Sequence, residues 1–197
     1  MVPLQKTGAQ SNTESEVTFD AEKEASDFFI IAKGRLLHVN DWQSVAGAAS
    51  ASFQLTDGNG DEVNRLVEKD DFFKIDIPGP GSAAGDGFDW VRVEGIEEEK
   101  NEKVESVSIL VRPSSNPTNK KEDIAHFFSD EATSCFMIKR EGAKVIAGVY
   151  GRNEKPNTDV EKKVDKARNA AVATGAMGGF SKLQWKSLVN GFIKIGS

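Results

Sequence analysis

The chain contains two histidines, and each has an aspartate a few positions behind it: His38 with Asp41, and His126 with Asp130. An imidazole beside a carboxylate can ligate a metal ion or act as a general acid or base. Neither spacing matches a recognised metal motif such as His-Glu-x-x-His, so a histidine that bonds the backbone is the favoured interpretation. We predict no catalytic residue and no metal ligand, and we retain both histidines as candidates for contact with a ligand.

The only cysteine, Cys135, lies in an apolar run, TSCFMI, that has strand character. A nucleophilic thiol needs a lowered pKa and a nearby base, and no reactive-cysteine motif surrounds this residue. A buried cysteine usually serves as a small hydrophobe. One cysteine cannot form an internal disulfide, nor a zinc cluster by itself. We therefore expect a buried thiol and no cofactor.

The least generic stretch is the loop over residues 77–90, which separates two alternating runs. Glycine-rich loops that bind phosphate lead into a helix, whereas the residues after this loop alternate like a strand. We therefore predict an ordered loop that covers one end of the sheet and helps to form the main ligand pocket. If Gly85 needs a positive φ, Gly85→Val should destabilise the protein by roughly 1–2 kcal/mol. The candidate ligand contacts are Gly81, Asp86, Phe88 and Trp90, together with Trp42, His38 and His126.

A polar corner formed by Arg152, Asn153 and Lys155 follows the last predicted strand. Basic side chains near the start of a helix can hold an anion, because the free N–H groups there attract negative charge. The same residues can instead cap the helix that follows. Both interpretations stay open at the level of the sequence.

Alternation of apolar and polar residues, the pattern of a half-buried strand, recurs along the first three quarters of the chain. It predicts about eight strands, at 28–32, 49–55, 62–67, 73–77, 90–94, 107–111, 136–139 and 145–149. A further edge strand can begin at 17–19. The Asp-Gly-Asn-Gly-Asp sequence at 57–61 predicts a hairpin turn. Asn40 or Asp41 is expected to cap a short helix that begins at Trp42 and ends before Gly47.

The tail beyond residue 158 has the pattern of two helical halves separated by Gly178-Gly179. Small residues on one face of the first half predict close packing on the sheet: Val164, Ala167 and Ala171. An apolar stripe runs along the second half: Trp185, Leu188, Val189 and Phe192. We favour burial of this stripe on the chain's own sheet over a contact with a second subunit, because an open sheet has an apolar face to cover.

Composition limits the functions that are compatible with the chain. Of its 197 residues, 38% are hydrophobic and 28% are charged, which suits a soluble globular domain. A net charge of −6 argues against nucleic-acid binding, although the tail from Lys166 onwards is basic. No apolar run approaches the roughly 20 residues of a membrane span, and residues 1–16 lack the apolar core of a secretory signal. We expect a flexible segment at 1–16, one domain at 17–197 and a cytoplasmic location.

The predicted fold is α+β, with the sheet at 27–150 and C-terminal helices at 158–195. A strongly curved antiparallel sheet or barrel of about eight strands would pack on the long C-terminal helical segment. In element order this resembles the helix-grip architecture, in which a curved sheet wraps a long C-terminal helix around an internal cavity. A lipocalin-like or split-barrel arrangement is the alternative.

The absence of a catalytic motif favours non-enzymatic binding of a small apolar or aromatic ligand in such a cavity. A structural or assembly protein that uses the basic amphipathic tail is the first alternative, and a monomer and a homodimer are both compatible with the sequence. A hydrolase or metal-dependent enzyme that uses His38 or His126 is the second alternative.

Overall fold

The computed structural model describes residues 2–47, 51–77, 81–119, 123–158, 169–172 and 180–196, with only the backbone given for 180–182. Seven strands are present in this part of the chain: β1 (Ala9–Thr18), β2 (Ser52–Thr56), β3 (Phe72–Asp76), β4 (Asp89–Lys100), β5 (Val104–Pro113), β6 (Thr133–Glu141) and β7 (Lys144–Glu154). The helices are α1 (Glu22–Leu37), α2 (Trp42–Ala46), which follows a 3₁₀ turn at Val39–Asp41, and α3 (Phe180–Phe192). Residues 169–172 are also helical.

The strands form one antiparallel sheet in the order β1-β7-β6-β5-β4-β3-β2. Among the described residues β1 and β2 are the two edges, so the sheet is open and the predicted barrel is wrong. The strand count is seven rather than about eight. Helices and an antiparallel sheet together confirm the α+β class.

Helix α1 replaces the strand that was predicted at 28–32. Its buried residues recur at the spacing of a helix: Ala25, Phe28, Phe29, Ala32 and Leu36. Ile30 and Ile31, in the middle of the same apolar run, are 66% and 53% exposed. A run of five apolar residues fits the period of a strand and the period of a helix equally well. Here the buried residues on either side of the run, Ala25 and Leu36, continue the helical spacing.

The N-terminal boundary of the sheet also differs from the prediction. Residues 9–16, which were expected to belong to a flexible segment, form most of β1 and pair with β7 from Ser11 opposite Gly151 to Thr18 opposite Lys144. Thr13 is the one fully buried residue of this polar strand. Because β1 is an exposed edge strand, it lacks the alternation of apolar and polar residues from which a strand is predicted.

The segment 62–67 is a connection, not the predicted return strand. Only an isolated bridge joins Thr56 to Glu62, and β2 pairs with β3 instead. The side chain of Asn40 accepts a hydrogen bond from the Leu55 amide at 2.6 Å and donates one to the Val63 carbonyl at 2.8 Å. These bonds tie the connection to the start of α2. A turn is present at 57–61, where Oδ1 of Asp57 accepts from the amides of Asn59 and Asp61, but the predicted hairpin is wrong because no return strand follows it.

Trp42 lies at the centre of the main core, between the helices and one face of the sheet. It is fully buried, and its Nε1–H donates to the Leu36 carbonyl at 3.0 Å. Four aromatic rings surround it at centroid distances of 4.7 to 5.6 Å: Phe53, Phe73, Phe136 and Phe192. The short helix that begins at Trp42 and ends before Gly47 is confirmed, although Asp41 makes no side-chain cap.

Helix α3 packs on the chain itself, as predicted. Leu188, Val189 and Phe192 are fully buried in the main core, and Trp185 packs against it. The Arg35 guanidinium of α1 donates to the carbonyls of Phe192 and Lys194 at 3.0 and 2.8 Å. A cation at the carbonyl end of a helix stabilises it, because the last carbonyls have no partner within the helix.

The first helical half of the tail was predicted to pack through small residues. Ala171 is exposed, so the predicted contact is wrong at that position. Val164, Ala167 and Gly178-Gly179 lie outside the described residues. In the part of the chain that the structure describes, no helix is long and apolar enough to cross a membrane.

A buried ion pair fastens α1 to the sheet. Nε of Arg140 on β6 donates to Oε2 of Glu105 on β5 at 2.7 Å, and both side chains are more than nine-tenths buried. Ser26 of α1 donates to the same carboxylate at 3.1 Å, and Lys100 lies 3.1 Å from its other oxygen. Burial alone would raise the pKa of Glu105, but hydrogen bonds from Arg140, Lys100 and Ser26 outweigh it and hold the pKa below the usual value.

Candidate functional site

The sheet divides the predicted ligand contacts between its two faces. Side chains alternate along a strand, so Val91 and Val93 of β4 point to the inner face, where the helices lie, while Trp90 points outward. Trp90 accordingly belongs to a small cluster that is separate from the main core and includes Ala84, Ala125, Phe72 and Phe88. Trp42 lies on the inner side. The candidates from the loop and the tryptophan of α2 therefore do not line one space.

The loop between β3 and β4 is ordered by its own hydrogen bonds. The strands that it joins are paired, with Lys74 opposite Trp90. Nε1–H of Trp90 donates to the Gly85 carbonyl at 3.2 Å, and the Gly87 amide donates to the Ser82 carbonyl at 2.8 Å. In the described residues 81–88, this order agrees with the prediction. The role of the loop in the main ligand pocket stays a prediction.

In the described part of this loop, positive φ values occur at Asp86 (54°) and Gly87 (98°), not at Gly85. The condition considered for Gly85, a positive φ, is therefore not met. Gly85 is needed for a different reason: a Cβ there would lie 1.9 Å from the Phe88 carbonyl oxygen. Gly81 is similarly confined, because its Cβ would lie 2.0 Å from the Gly87 carbonyl oxygen.

Asp86 is held from a neighbouring loop. The side-chain amides of Asn116 and Asn119 each donate to its Oδ2 at 3.1 Å. Lys74 lies over the ring of Phe88, with its Nζ 4.3 Å from the centroid. The loop candidates Gly81, Asp86, Phe88 and Trp90 are thus brought together on the outer face.

The two histidines occupy different environments. His38 is exposed at the end of α1, and its amide donates to the Gly34 carbonyl. His126 is buried beside the outer cluster, accepts a hydrogen bond at Nδ1 from the Phe128 amide at 2.9 Å and stacks on Phe127. The described residues contain no group of three or more His, Cys, Asp or Glu residues arranged to hold a metal ion.

Cys135 is fully buried, and burial raises its pKa to about 11. It faces outward on β6, opposite Tyr150 of β7. The Tyr150 hydroxyl donates to Oε1 of Glu14 at 2.7 Å, and burial together with this bond raises the tyrosine pKa above its usual value. The thiol therefore stays protonated at neutral pH, which disfavours a nucleophilic role.

The inner face offers an apolar floor in the middle of the sheet. β4 contributes Val91 and Val93, and β5 contributes Val107, Ile109 and Val111, all of them buried in the main core. Among the described helices, α1 makes its main contacts with β6 and β7, and α3 makes them with α2, β1 and β7. The floor formed by β4 and β5 therefore lies to one side of the main helix contacts.

No protein-family model matches the chain, and no curated protein matches it significantly. Solved structures resemble it at low identity. The hypothetical protein jhp0584 from Helicobacter pylori is 12% identical with a TM-score of 0.50, over 95% of this chain and 87% of that one. Major latex-like protein 151 from Panax ginseng is 12% identical with a TM-score of 0.41, over 85% and 95% of the two chains.

A truncated norcoclaurine synthase from Thalictrum flavum is 10% identical with a TM-score of 0.35, over 89% of this chain and 98% of that one. At such identities a similarity concerns the fold alone, and of these three proteins the Helicobacter one reaches a TM-score of 0.50. The class that the structure defines is an α+β protein with a seven-stranded antiparallel sheet and helices.

Proposed function

We propose that this protein binds a small apolar or aromatic molecule between the inner face of its sheet and its helices. The observation that carries the proposal is the apolar floor of β4 and β5, which lies beside the main helix contacts on the same face. Ligand sites are typically apolar and concave, with few polar groups. This proposal includes the helix-grip arrangement that the order of the elements predicts, in which the sheet and the helices enclose the ligand.

The packing around Trp42 restricts where such a ligand would lie. Four aromatic rings already surround Trp42, which has no exposed surface, so that end of the inner face is filled by side chains. The ligand would instead lie on the β4–β5 side of this face, in an enclosed space beside Val93, Ile109 and Val111, because these three side chains are themselves buried. Trp42 would then support the wall of the site without touching the ligand.

Paired substitutions on opposite faces of β5 test the proposal. Val111→Phe would narrow the inner face, whereas Leu110→Phe adds the same ring to the outer face, where Leu110 lies opposite Cys135. Binding of an uncharged fluorescent probe, 1-aminoanthracene, should weaken about tenfold or more in the first variant and stay unchanged in the second. Thermal melting checks that each variant is folded.

Native mass spectrometry of gently purified protein supplies a second measurement, because it reports a retained small molecule directly. Absence of saturable probe binding by the unmodified protein, together with no retained molecule, would contradict the proposal. Equal loss of binding in both variants would place the probe outside the inner face and would also contradict it.

The assembly alternative receives less support from α3. Its apolar stripe is used within the chain, since Leu188, Val189 and Phe192 are buried in the core. One of its basic residues, Lys186, donates to the Glu14 carbonyl of β1 at 2.6 Å. Little of the predicted contact surface is therefore left for a partner on this helix.

A further inference from the structure

The register of the sheet places three arginines in one row on its outer face. Arg92 of β4 lies directly opposite Arg112 of β5. The next two strands extend this row across the sheet, with Thr133 of β6 opposite Arg152 of β7. Like charges that face each other across strands are destabilising unless negative groups compensate them. Carboxylates compensate the facing pair in this way, since Asp70 pairs with Arg92 at 2.6 Å and Glu94 pairs with Arg112.

A cavity of about 650 Å³ opens beside Arg112 in this row. Its lining includes the basic side chains Lys6 and Lys155 together with Thr133. The N-terminal segment forms one wall and is fixed there by Asn153, whose Oδ1 accepts from the amides of Lys6 and Thr7 at 2.8 and 3.1 Å. Asn153 and Lys155 of the polar corner expected from the sequence thus line this cavity, whereas the start of the helix that the corner was alternatively expected to cap lies outside the described residues.

Positive charge exceeds negative charge around this cavity. Glu131 pairs with Lys155 at 2.8 Å, and Glu94 pairs with Arg112. Across the described ranges, Lys6 has no carboxylate within ion-pair distance. The Arg152 guanidinium bonds only neutral oxygens in the same part of the chain, those of Ser11, Asn12 and Gly151.

A buried hydroxyl adds an independent observation. Thr133 lines the cavity and is only 3% exposed, and in the described chain its Oγ1 has no hydrogen-bond partner. The Ser129 hydroxyl is likewise buried without a hydrogen-bond partner among the described residues, and the Ser129 amide donates to the Lys155 carbonyl. A buried polar atom without a partner costs free energy, which a ligand that accepts a hydrogen bond would recover.

We propose that this outer-face cavity binds a small molecule through an oxyanion group, a phosphate or a carboxylate. Lys6, Arg112 and Lys155 supply charge-assisted hydrogen bonds, and Thr133 donates its hydroxyl. The site lies on the opposite face from the apolar floor of β4 and β5. It therefore stands or fails independently of the apolar ligand proposed above.

Titrations of ¹⁵N-labelled protein with inorganic phosphate and, separately, with acetate test this site at constant ionic strength. We expect saturable shifts confined to the amides of residues 5–7, 131–133 and 153–155. Saturation by phosphate alone identifies a phosphate group, and saturation by acetate alone identifies a carboxylate. No saturable shift with either anion, or shifts spread over all surface lysines, would overturn the proposal.

Three variants sharpen the test. Lys6→Gln, at an exposed position outside the sheet, should weaken binding about tenfold, whereas Lys23→Gln on α1 removes an equally exposed cation and should leave binding unchanged. Thr133→Val keeps the shape of the side chain and loses no existing bond among the described residues. It should weaken anion binding without lowering the melting temperature. Equal effects of Lys6→Gln and Lys23→Gln, or unchanged affinity in both Lys6→Gln and Thr133→Val, would contradict the site.

Discussion

At the scale of single residues, Gly85 is constrained by space and not by its backbone angles. A Cβ at this position would meet the Phe88 carbonyl oxygen and the Trp90 ring. We predict that Gly85→Ala lowers the free energy of unfolding by about 1–3 kcal/mol, because the loop must move to relieve the overlap. Gly95→Ala is the control, since a Cβ there meets nothing within 4 Å, and it should change stability by less than about 0.5 kcal/mol. Urea denaturation measures both, and equal stabilities would show that the loop yields freely.

Glu105 gives the protein a specific sensitivity to acid. Its pKa is lower in the folded chain than in the unfolded chain, so it stabilises the fold above its ordinary pKa, and this stability is lost as the pH falls through the folded pKa. We predict that unfolding becomes easier below about pH 4 and that Glu105→Gln flattens this dependence. The same variant should be less stable at pH 7, because Arg140 would stay buried without its counter-charge.

The control for this prediction is Glu24→Gln, which removes an exposed carboxylate from α1. Its stability should follow the pH dependence of the unmodified protein. Thermal melting between pH 3 and pH 7 compares the three proteins. A profile that is the same with and without Glu105 would assign the acid sensitivity to other groups.

The candidate site residues were predictable only in part. Alternation correctly indicates that Trp90 and Val91 point to opposite faces, and the glycines correctly mark the loop. The sequence does not indicate which face the helices cover, because that depends on how distant elements pack. For this reason Trp42 and Trp90 were grouped as contacts for one ligand, although the structure separates them. The row formed by Arg92, Arg112 and Arg152 depends on strand register and has no local signal.

At the scale of elements, strands β3 to β7 were predictable because apolar side chains that face the main core recur at every second position along them. Helix α1 was missed because five consecutive apolar residues also suit a strand, and because Gly34 lies within the helix. The polar edge strand β1 was mostly missed, since its side chains bury little apolar surface. The segment 62–67 alternates like a strand but forms no continuous ladder: the Val63 amide donates to the Leu55 carbonyl and the Val67 amide donates to the Leu37 carbonyl at the end of α1.

Gly34 lowers the stability of α1, and no close contact among the described residues requires a glycine at this position. A Cβ there would meet nothing within 4 Å, and its φ is not positive. We predict that Gly34→Ala stabilises the protein by about 0.5–1 kcal/mol through a lower entropy cost of forming the helix. Gly191→Ala in α3 is the matched comparison and should destabilise, because its Cβ would lie 2.1 Å from the Val45 carbonyl oxygen. Thermal melting of both variants tests this prediction. Destabilisation by Gly34→Ala would contradict the inference that a Cβ at position 34 has open space around it.

At the scale of the whole molecule, α3 completes the core. Leu188, Val189 and Phe192 each stabilise the fold by roughly 1.5–3 kcal/mol through burial, and a typical domain has a net stability of only about 5–15 kcal/mol. We predict that removal of residues 181–197 leaves the chain unfolded or insoluble. Removal of residues 1–6, which precede β1, is the control and should leave a folded protein.

Circular dichroism and size-exclusion chromatography distinguish the outcomes of the truncation. A truncated chain that stays folded and changes from a dimer to a monomer would support a subunit contact through α3. A truncated chain that is unaffected in both fold and size would show that α3 contributes little to the core.

The pairing of β1 with β7 has a consequence for how the chain is made. Glu14 and Tyr150, which are hydrogen-bonded across this pair, are 136 positions apart in sequence. During synthesis, β1 leaves the ribosome long before its partner exists, and α3 follows later still. Pairings between such distant segments form slowly and leave strand edges unprotected in the meantime. We therefore expect the nascent chain to depend on chaperones until β7 has emerged, and a circular permutant that joins β1 directly behind β7 to acquire its native sheet faster.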